Sequence, residues 1–329
     1  MTRAQNRHRA GEAKKTRGRT TPESGSFAEN GVLIIDKPGG QTSAGVVDRV
    51  KRLAGIYKAG HAGTLDPFAT GVLICPVNRG TRLARFFLHG GKKYRALIRL
   101  GTETDTLDRT GKIIAENPVP AIDAESLGKI AGRFRGAISQ VPPAYSALKH
   151  RGKPLYKYAR QGRPVEKPAR SVEIRDIKIT MIDPPDIGLE ISCSGGTYIR
   201  ALCSDIGKAI GCGAHVMELE RTESCGFDLS EAVAPEKLEE AQTRADVEKF
   251  IIPMARALRQ MPGHTADEDL AEKTRFGKPL RQNDIEKIDK AAGDFRFVKI
   301  VDKGGRLLAV VDKNDSGGGY SYCCVFHPN

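Results

Sequence analysis

The chain has 329 residues, 39% hydrophobic and 28% charged, the composition of one folded domain with room for a smaller companion. Its 53 Lys and Arg outnumber 40 Asp and Glu to give a net charge of +13, which points to an anionic partner, nucleic acid above all. Seven cysteines with no C-x-x-C argue against a disulfide scaffold and a zinc site and favour a reducing compartment, and no apolar run is long enough to span a membrane. The N-terminus lacks the apolar core of a secretory signal, so the cytoplasm is the expected location.

Residues 1–26 form a low-complexity basic arm, seven cations against two glutamates, with too little apolar surface to fold by itself, and are expected to be disordered. From Gly31, GVLIIDKP is an apolar run stopped by Pro38, which predicts a buried strand and a turn. Ser43 is the expected N-cap of a helix bearing Val46, Val47, Val50, Leu53 and Ala54. GVLICPV over 71–77 is a second buried strand, and Leu83, Phe86 and Phe87 mark a short helix. Tyr94, Ala96, Ile98 and Leu100 alternate with Arg95, Leu97 and Arg99 as in a half-buried strand. A helix follows near 123–135, then two strands, SVEIRDIKITMI and DIGLEISCS, then a helix after Gly195-Gly196-Thr197 with Ile199, Leu202, Ile206 and Ile210 on one side. A charged helix begins near Pro235, and beyond Pro262 short alternating runs without a long helix pattern predict a small, separate β-rich module. The whole reads as α+β with a mixed, mainly antiparallel sheet, divided into an arm (1–26), a main domain (27–260) and the C-terminal module (261–329).

Two stretches concentrate positive charge. Between Arg79 and Arg99 lie seven cations and no acid, and between Lys149 and Arg175 nine cations face two glutamates with Tyr156 and Tyr158 interleaved and Tyr145 just before. Cations for phosphates beside rings that stack on unpaired bases suit single-stranded or looped RNA. GHAGTLDPFATG, residues 60–71, is a tightly shaped loop carrying one imidazole, His61, and one carboxylate, Asp66. Taken alone, an Asp-Pro in such a loop is more often a turn residue than a catalyst.

HAGTLDPFATGVL resembles the catalytic-loop signature of the TruB family of pseudouridine synthases, and the resemblance continues through GVLIIDKPGGQTS, KKYRALIRLGTETDTLDRTG, VPPAYSALKHRGKPLYKYARQG, CSGGTYIRALCSDIG and GCGAHVMELERTESCGF, which together cover most of 31–227 in family order. It implies the pseudouridine-synthase fold with an RNA-binding cleft. The implied activity is conversion of uridine 55 in the T-loop of tRNA to pseudouridine, with no metal, no cofactor and no obligatory protein partner. By position, Asp66 is the implied catalytic carboxylate, attacking C1′ of the ribose or C6 of the uracil. Arg200 is its cationic partner, and Tyr94 lies against the base and aids removal of the C5 proton. Tyr198 and Leu219 complete the pocket, and His61 fills the space left by the extruded base. The C-terminal module resembles, weakly, the family's PUA-like accessory RNA-binding domain. Two other readings stand beside this one: the catalytic subunit of a guide-RNA-dependent rRNA pseudouridine synthase, and a non-catalytic tRNA-folding protein. The tyrosine-bearing basic block argues against the first and the pairing of Asp66 with Arg200 against the second. With no coiled-coil pattern, a monomer is expected.

Overall fold

The structure, a computed structural model, describes residues 29–327 apart from 242, 281, 293–294 and 314–318; the basic arm over 1–26 lies outside the described residues. In chain order the elements that position the site are β1 (Gly31–Lys37), α1 (Ser43–Leu53), β2 (Thr70–Val77), β3 (Lys92–Leu100), α2 (Ala124–Gly132), β4 (Gly136–Gln140), β5 (Arg170–Asp183), β6 (Asp186–Cys193), α3 (Ile199–Ile210), β7 (Ala214–Ser224) and β8 (Ile252–Pro253). They build one sheet in the order β8-β1-β2-β7-β3-β6-β5-β4, with the short strand Phe227–Asp228 paired to β7. Every pairing is antiparallel except β2 with β7, where Thr70 and Gly71 run parallel to Glu220 and Arg221. The expected mixed, mainly antiparallel α+β sheet is the one observed.

The two kinds of strand signal have two physical origins. β1 and β2 are covered on both faces, so their sequences are unbroken apolar runs. Leu33, Ile35, Leu73 and Cys75 pack on Val46, Val47 and Val50 of α1, while Val32, Ile34, Val72 and Ile74 pack on the opposite side. β3 is covered on one face only, so it alternates: Tyr94, Ala96, Ile98 and Leu100 are buried in a cluster with Leu189 and Ile191 of β6 and Ile199, Leu202 and Ile206 of α3.

Two helix expectations are corrected. The N-cap of α1 is Thr42, which accepts from the Gly45 amide at 3.0 Å; Ser43 is the first helical residue and is buried for another purpose. The charged helix near Pro235 is two short ones, Pro235–Glu240 and Arg244–Glu248, because Thr243 opens a second helix with its own capping box to Asp246.

The C-terminal module holds β9 (Gly263–Thr265), α4 (Glu268–Arg275), α5 (Gln282–Ala292), β10 (Phe297–Val301), β11 (Leu307–Lys313) and β12 (Tyr320–Val325), its four strands forming a second sheet in chain order. It is β-rich, but two helices cover it. In α4 only Leu270, Lys273 and Thr274 are buried, so the helix is signalled by its Asp267 cap and by acids in the first turn and bases in the last rather than by an apolar stripe. Nor is the module detached. Its own core (Leu270, Ile288, Val298, Ile300, Val311) is joined to the main domain by a second cluster in which Leu307, Val310, Cys324 and Phe326 meet Val32, Ile34, Leu83 and Phe87.

Candidate active site

The loop between α1 and β2 carries Asp66 and is pinned on both sides of it. Ser43 Oγ donates to the Leu65 carbonyl at 3.0 Å and accepts from the Leu65 amide at 2.9 Å. The Pro67 carbonyl accepts from the Gly40 amide at 2.8 Å and from Nζ of buried Lys37 at 3.2 Å. Farther back, the amides of Gly60 and Ala62 donate to Pro76 and Ile74 of β2. Gly71 closes the loop with φ +98°, and a Cβ there would stand 2.3 Å from the Arg221 carbonyl oxygen, so only glycine fits.

Arg200, in the first turn of α3, reaches Asp66 in bidentate fashion, Nε to Oδ2 at 2.8 Å and Nη2 to Oδ1 at 2.9 Å. Its remaining donors go to the Tyr145 carbonyl at 2.8 Å, the Thr106 carbonyl at 2.5 Å and the carboxylate of Asp108 at 3.3 Å. Four hydrogen bonds and an ion pair therefore fix the orientation of the guanidinium. The Arg200 side chain is 3% exposed and that of Asp66 32%, so the cation stands behind and the carboxylate faces outward.

Asp108 was not singled out by sequence, where DTLDRTG reads as an acidic turn. Its Oδ1 accepts from Thr106 Oγ1, the Thr110 amide and Thr110 Oγ1 at 2.9, 2.9 and 2.5 Å, leaving Oδ2 for Arg200. The threonines two residues to either side were the available signal. Lys37 and Arg221 were also missed, because each sits at the end of a strand pattern where a basic residue reads as surface.

Tyr94 is buried in the cluster that holds Leu65, Phe68, Ile199 and Leu219, and burial pushes its phenol up, with the charges of Arg221 lowering it and those of Cys193 and Asp66 raising it further. Leu219, the cross-strand partner of Ala96, lines a cavity of about 530 Å³ with Phe68, Arg95 and Arg109. His61 is half-buried, its Nδ1 without a hydrogen-bond partner among the described residues, and burial followed by the charge of Arg221 pushes it below the usual imidazole range, toward the neutral ring. Tyr198 precedes α3; Gln140 of β4 fixes its backbone through both amide groups, at 3.0 and 2.8 Å, and its ring lies under the Arg170 guanidinium at 4.8 Å. Asp66, Arg200, Tyr94 and Leu219 thus converge, while Tyr198 flanks Arg200 with its ring turned to Arg170.

The first basic stretch is largely committed inside the protein. Arg82 donates to the Val325 carbonyl at 2.5 Å and covers the Phe326 ring, Arg79 donates to the His327 carbonyl, Lys92 is buried, and Lys93, Arg95 and Arg99 pair with Glu223, Glu190 and Asp186. In the second stretch Lys149, Arg151, Lys153, Lys157 and Arg163 are exposed and have no ion pair among the described residues.

Comparison with known proteins bears on the family and the fold. Residues 51–199 match the model of the TruB family pseudouridylate synthase N-terminal domain, and 200–259 that of the tRNA pseudouridylate synthase B C-terminal domain. The chain is 42% identical to tRNA pseudouridine synthase B of Syntrophotalea carbinolica over 84% of its own length and 90% of the relative's. The chain belongs to the TruB family of pseudouridylate synthases. Within the family it is also 38% identical to the synthase B of Pseudomonas aeruginosa, across 88% of this chain and 93% of that one. Among solved structures, a chain of a Cbf5-Nop10-Gar1 complex superposes with a TM-score of 0.72 at 26% identity, covering 95% of this chain and 92% of that one. A chain of the archaeal box H/ACA sRNP Nop10-Cbf5 complex gives 0.68 at 26%, over 91% and 86%. The pseudouridine-synthase fold is thereby shown for this family member.

Proposed function

We propose that the protein isomerises uridine to pseudouridine at position 55 in the T-loop of tRNA, with Asp66 as the catalytic carboxylate. The observation that carries this reading is an outward-facing carboxylate gripped from behind, in bidentate fashion, by a buried guanidinium. Such a carboxylate stays ionised and points where a substrate can be met.

The reaction breaks the C1′–N1 bond and forms C1′–C5; one proton leaves C5 and one is taken up at N1. The exchange involves no net oxidation, so the chemistry calls on side chains alone. Asp66 attacks C1′ or C6 and holds the detached fragment while the base turns. Tyr94 lies against the uracil and aids loss of the C5 proton, Leu219 and Tyr198 bound the pocket, and neutral His61 enters the T-loop where the flipped base has left. The exposed cations of 149–163 hold backbone phosphates. Relatives at 37%, 38% and 46% identity are named tRNA pseudouridine synthase B, whereas a chain of a Cbf5-Nop10-Gar1 complex matches at 26%, which supports a stand-alone tRNA enzyme over a guide-dependent subunit. A monomer in the reducing cytoplasm completes the reading, and the seven free cysteines support that compartment. Among the described residues no helix is long and apolar enough to cross a membrane.

Release of tritium from C5-labelled uridine in an unmodified tRNA transcript tests the reading. Release that depends on the T-loop uridine and vanishes in Asp66→Asn is the expected result; wild-type release by that variant removes Asp66 from the chemistry.

A further inference from the structure

Three buried cations surround the loop that carries Asp66, and their hydrogen bonds go to backbone carbonyls. Lys37 donates to Pro38, Gln41 and Pro67, Lys92 to Leu88 and Gly90, and Arg221 to Val72 at 2.7 Å and Gly63 at 3.1 Å. Arg221, on β7, is 1% exposed and has no carboxylate within ion-pair distance among the described residues. A neutral amide could bridge two carbonyls without the cost of burying a charge. The surroundings make that charge costlier still, since Lys37, Lys92 and His61 all feel it as repulsion. The charge must therefore serve something other than the carbonyls.

The ladder shows what lies opposite. Arg221 is the cross-strand partner of Tyr94 on β3 and of Gly71 on β2, so one residue spans the phenol and the exit of the catalytic loop. Directly opposed residues of an antiparallel pair put their side chains on one face, so these two buried side chains leave the sheet on the same side. The other ionisable groups facing that phenol, Asp66 from the loop and Cys193 from β6, both oppose negative charge on it. Arg221 acts in the opposite sense and favours it.

We infer that Arg221 is a positioning residue for the isomerisation, placed across the ladder from Tyr94 so that its charge supports the phenolate that takes the C5 proton. This inference rests on the isomerase reading and on Tyr94 lying against the base. Tyr94 first gives its phenolic proton to water; the C5–H bond then breaks with its electron pair returning to the uracil ring, the C5 proton passes to the phenolate oxygen and restores the phenol, and N1 takes its proton from water. Because Nη2 grips Gly63 and Nε grips Val72, the side chain that stands across the ladder from Tyr94 is also tied to the loop that carries Asp66.

Two measurements test it, using the whole protein carrying tyrosine labelled at the ζ carbon and the C5-tritiated tRNA transcript. In Arg221→Met the titration of Tyr94, assigned by its loss in Tyr94→Phe, is expected to move up by about one unit or more, while the other seven tyrosines keep theirs. The single-turnover rate falls by roughly tenfold or more with its alkaline limb displaced the same way, and tRNA affinity stays within about threefold. Arg221→Lys, which keeps the charge but not the planar fork, recovers most of the titration and part of the rate. An unmoved Tyr94 titration in Arg221→Met overturns the inference, as does a rate loss with an unchanged pH profile. If Arg221→Met fails to fold, the neutral Arg221→Gln carries the same test, and a Tyr94 titration and pH profile both identical to wild type overturn it. Tritium release by the unaltered protein tests the isomerase reading separately, so its failure is told apart from a failure of Arg221.

Discussion

The loop around Asp66 and the segment 149–163 are both rich in charge and are built on opposite principles. At the loop, Lys37, Lys92, Arg200 and Arg221 are buried, and every one is tied to carbonyls or carboxylates. At 149–163, five cations stand in solvent with no ion-pair partner among the described residues. Buried, oriented charge acts strongly over short distances and is little screened by salt; exposed charge acts weakly per residue, adds up along a phosphate chain and is screened. The first arrangement suits turnover and the second suits affinity, and the two should respond separately to substitution.

The sharpest division is expected from Asp66→Asn, which should lower turnover by at least about 10⁴-fold while tRNA affinity changes less than about threefold, measured by tritium release and filter binding. A large loss of affinity would mean that the carboxylate also holds RNA. Next, Asp108→Ala leaves the buried Arg200 guanidinium one carboxylate short. It should cost about 3 kcal/mol of stability in denaturant titration and about a hundredfold in rate, with affinity again little changed. The opposite pattern is expected from replacing Lys149, Arg151 and Lys153 together by Gln. Affinity at 0.1 M salt should weaken by about tenfold and the slope of log K against log salt should flatten by about one for each phosphate no longer neutralised, while the rate of the saturated enzyme holds. A fall in that saturated rate would blur the division between the two regions.

How much of this was legible in the sequence follows the same division. β3 announced itself because one covered face forces alternation, and that alternation put Tyr94 inward. The pairing of Asp66 with Arg200, 134 residues apart, was reachable only through family resemblance, since spacing alone leaves an Asp-Pro as a turn. The fate of Arg79 and Arg82 could not be read at all: what absorbs them is the last strand of the chain and the residues just after it, brought there by the docking of the C-terminal module. A cluster of arginines looks the same in sequence whether it latches a module or faces RNA. Arg82→Ala separates these cases, and should cost about 1 kcal/mol of stability with the salt dependence of tRNA binding intact.

The smallest effect is expected from pH. Burial pushes the Lys37 amine down to about 8 from 10.5, so the folded protein holds this proton less tightly than the unfolded chain. The cost of the buried charge is therefore present in full below pH 8 and is relieved as pH rises from there toward 10.5. The stability of wild type relative to Lys37→Met should increase across that window, and a difference that is flat in denaturant titrations would mean the amine is stabilised by its three carbonyls as well as it is by water.

The double hydrogen bond between Ser43 and Leu65 has a consequence for how the molecule opens. Because the hydroxyl belongs to the first turn of α1, the backbone beside Asp66 cannot loosen unless that helix end loosens with it. The Leu65 amide should then exchange with deuterium on the timescale of the α1 core, far more slowly than an ordinary loop amide. The loop that carries Asp66 is, in dynamic terms, a part of the helix that precedes it.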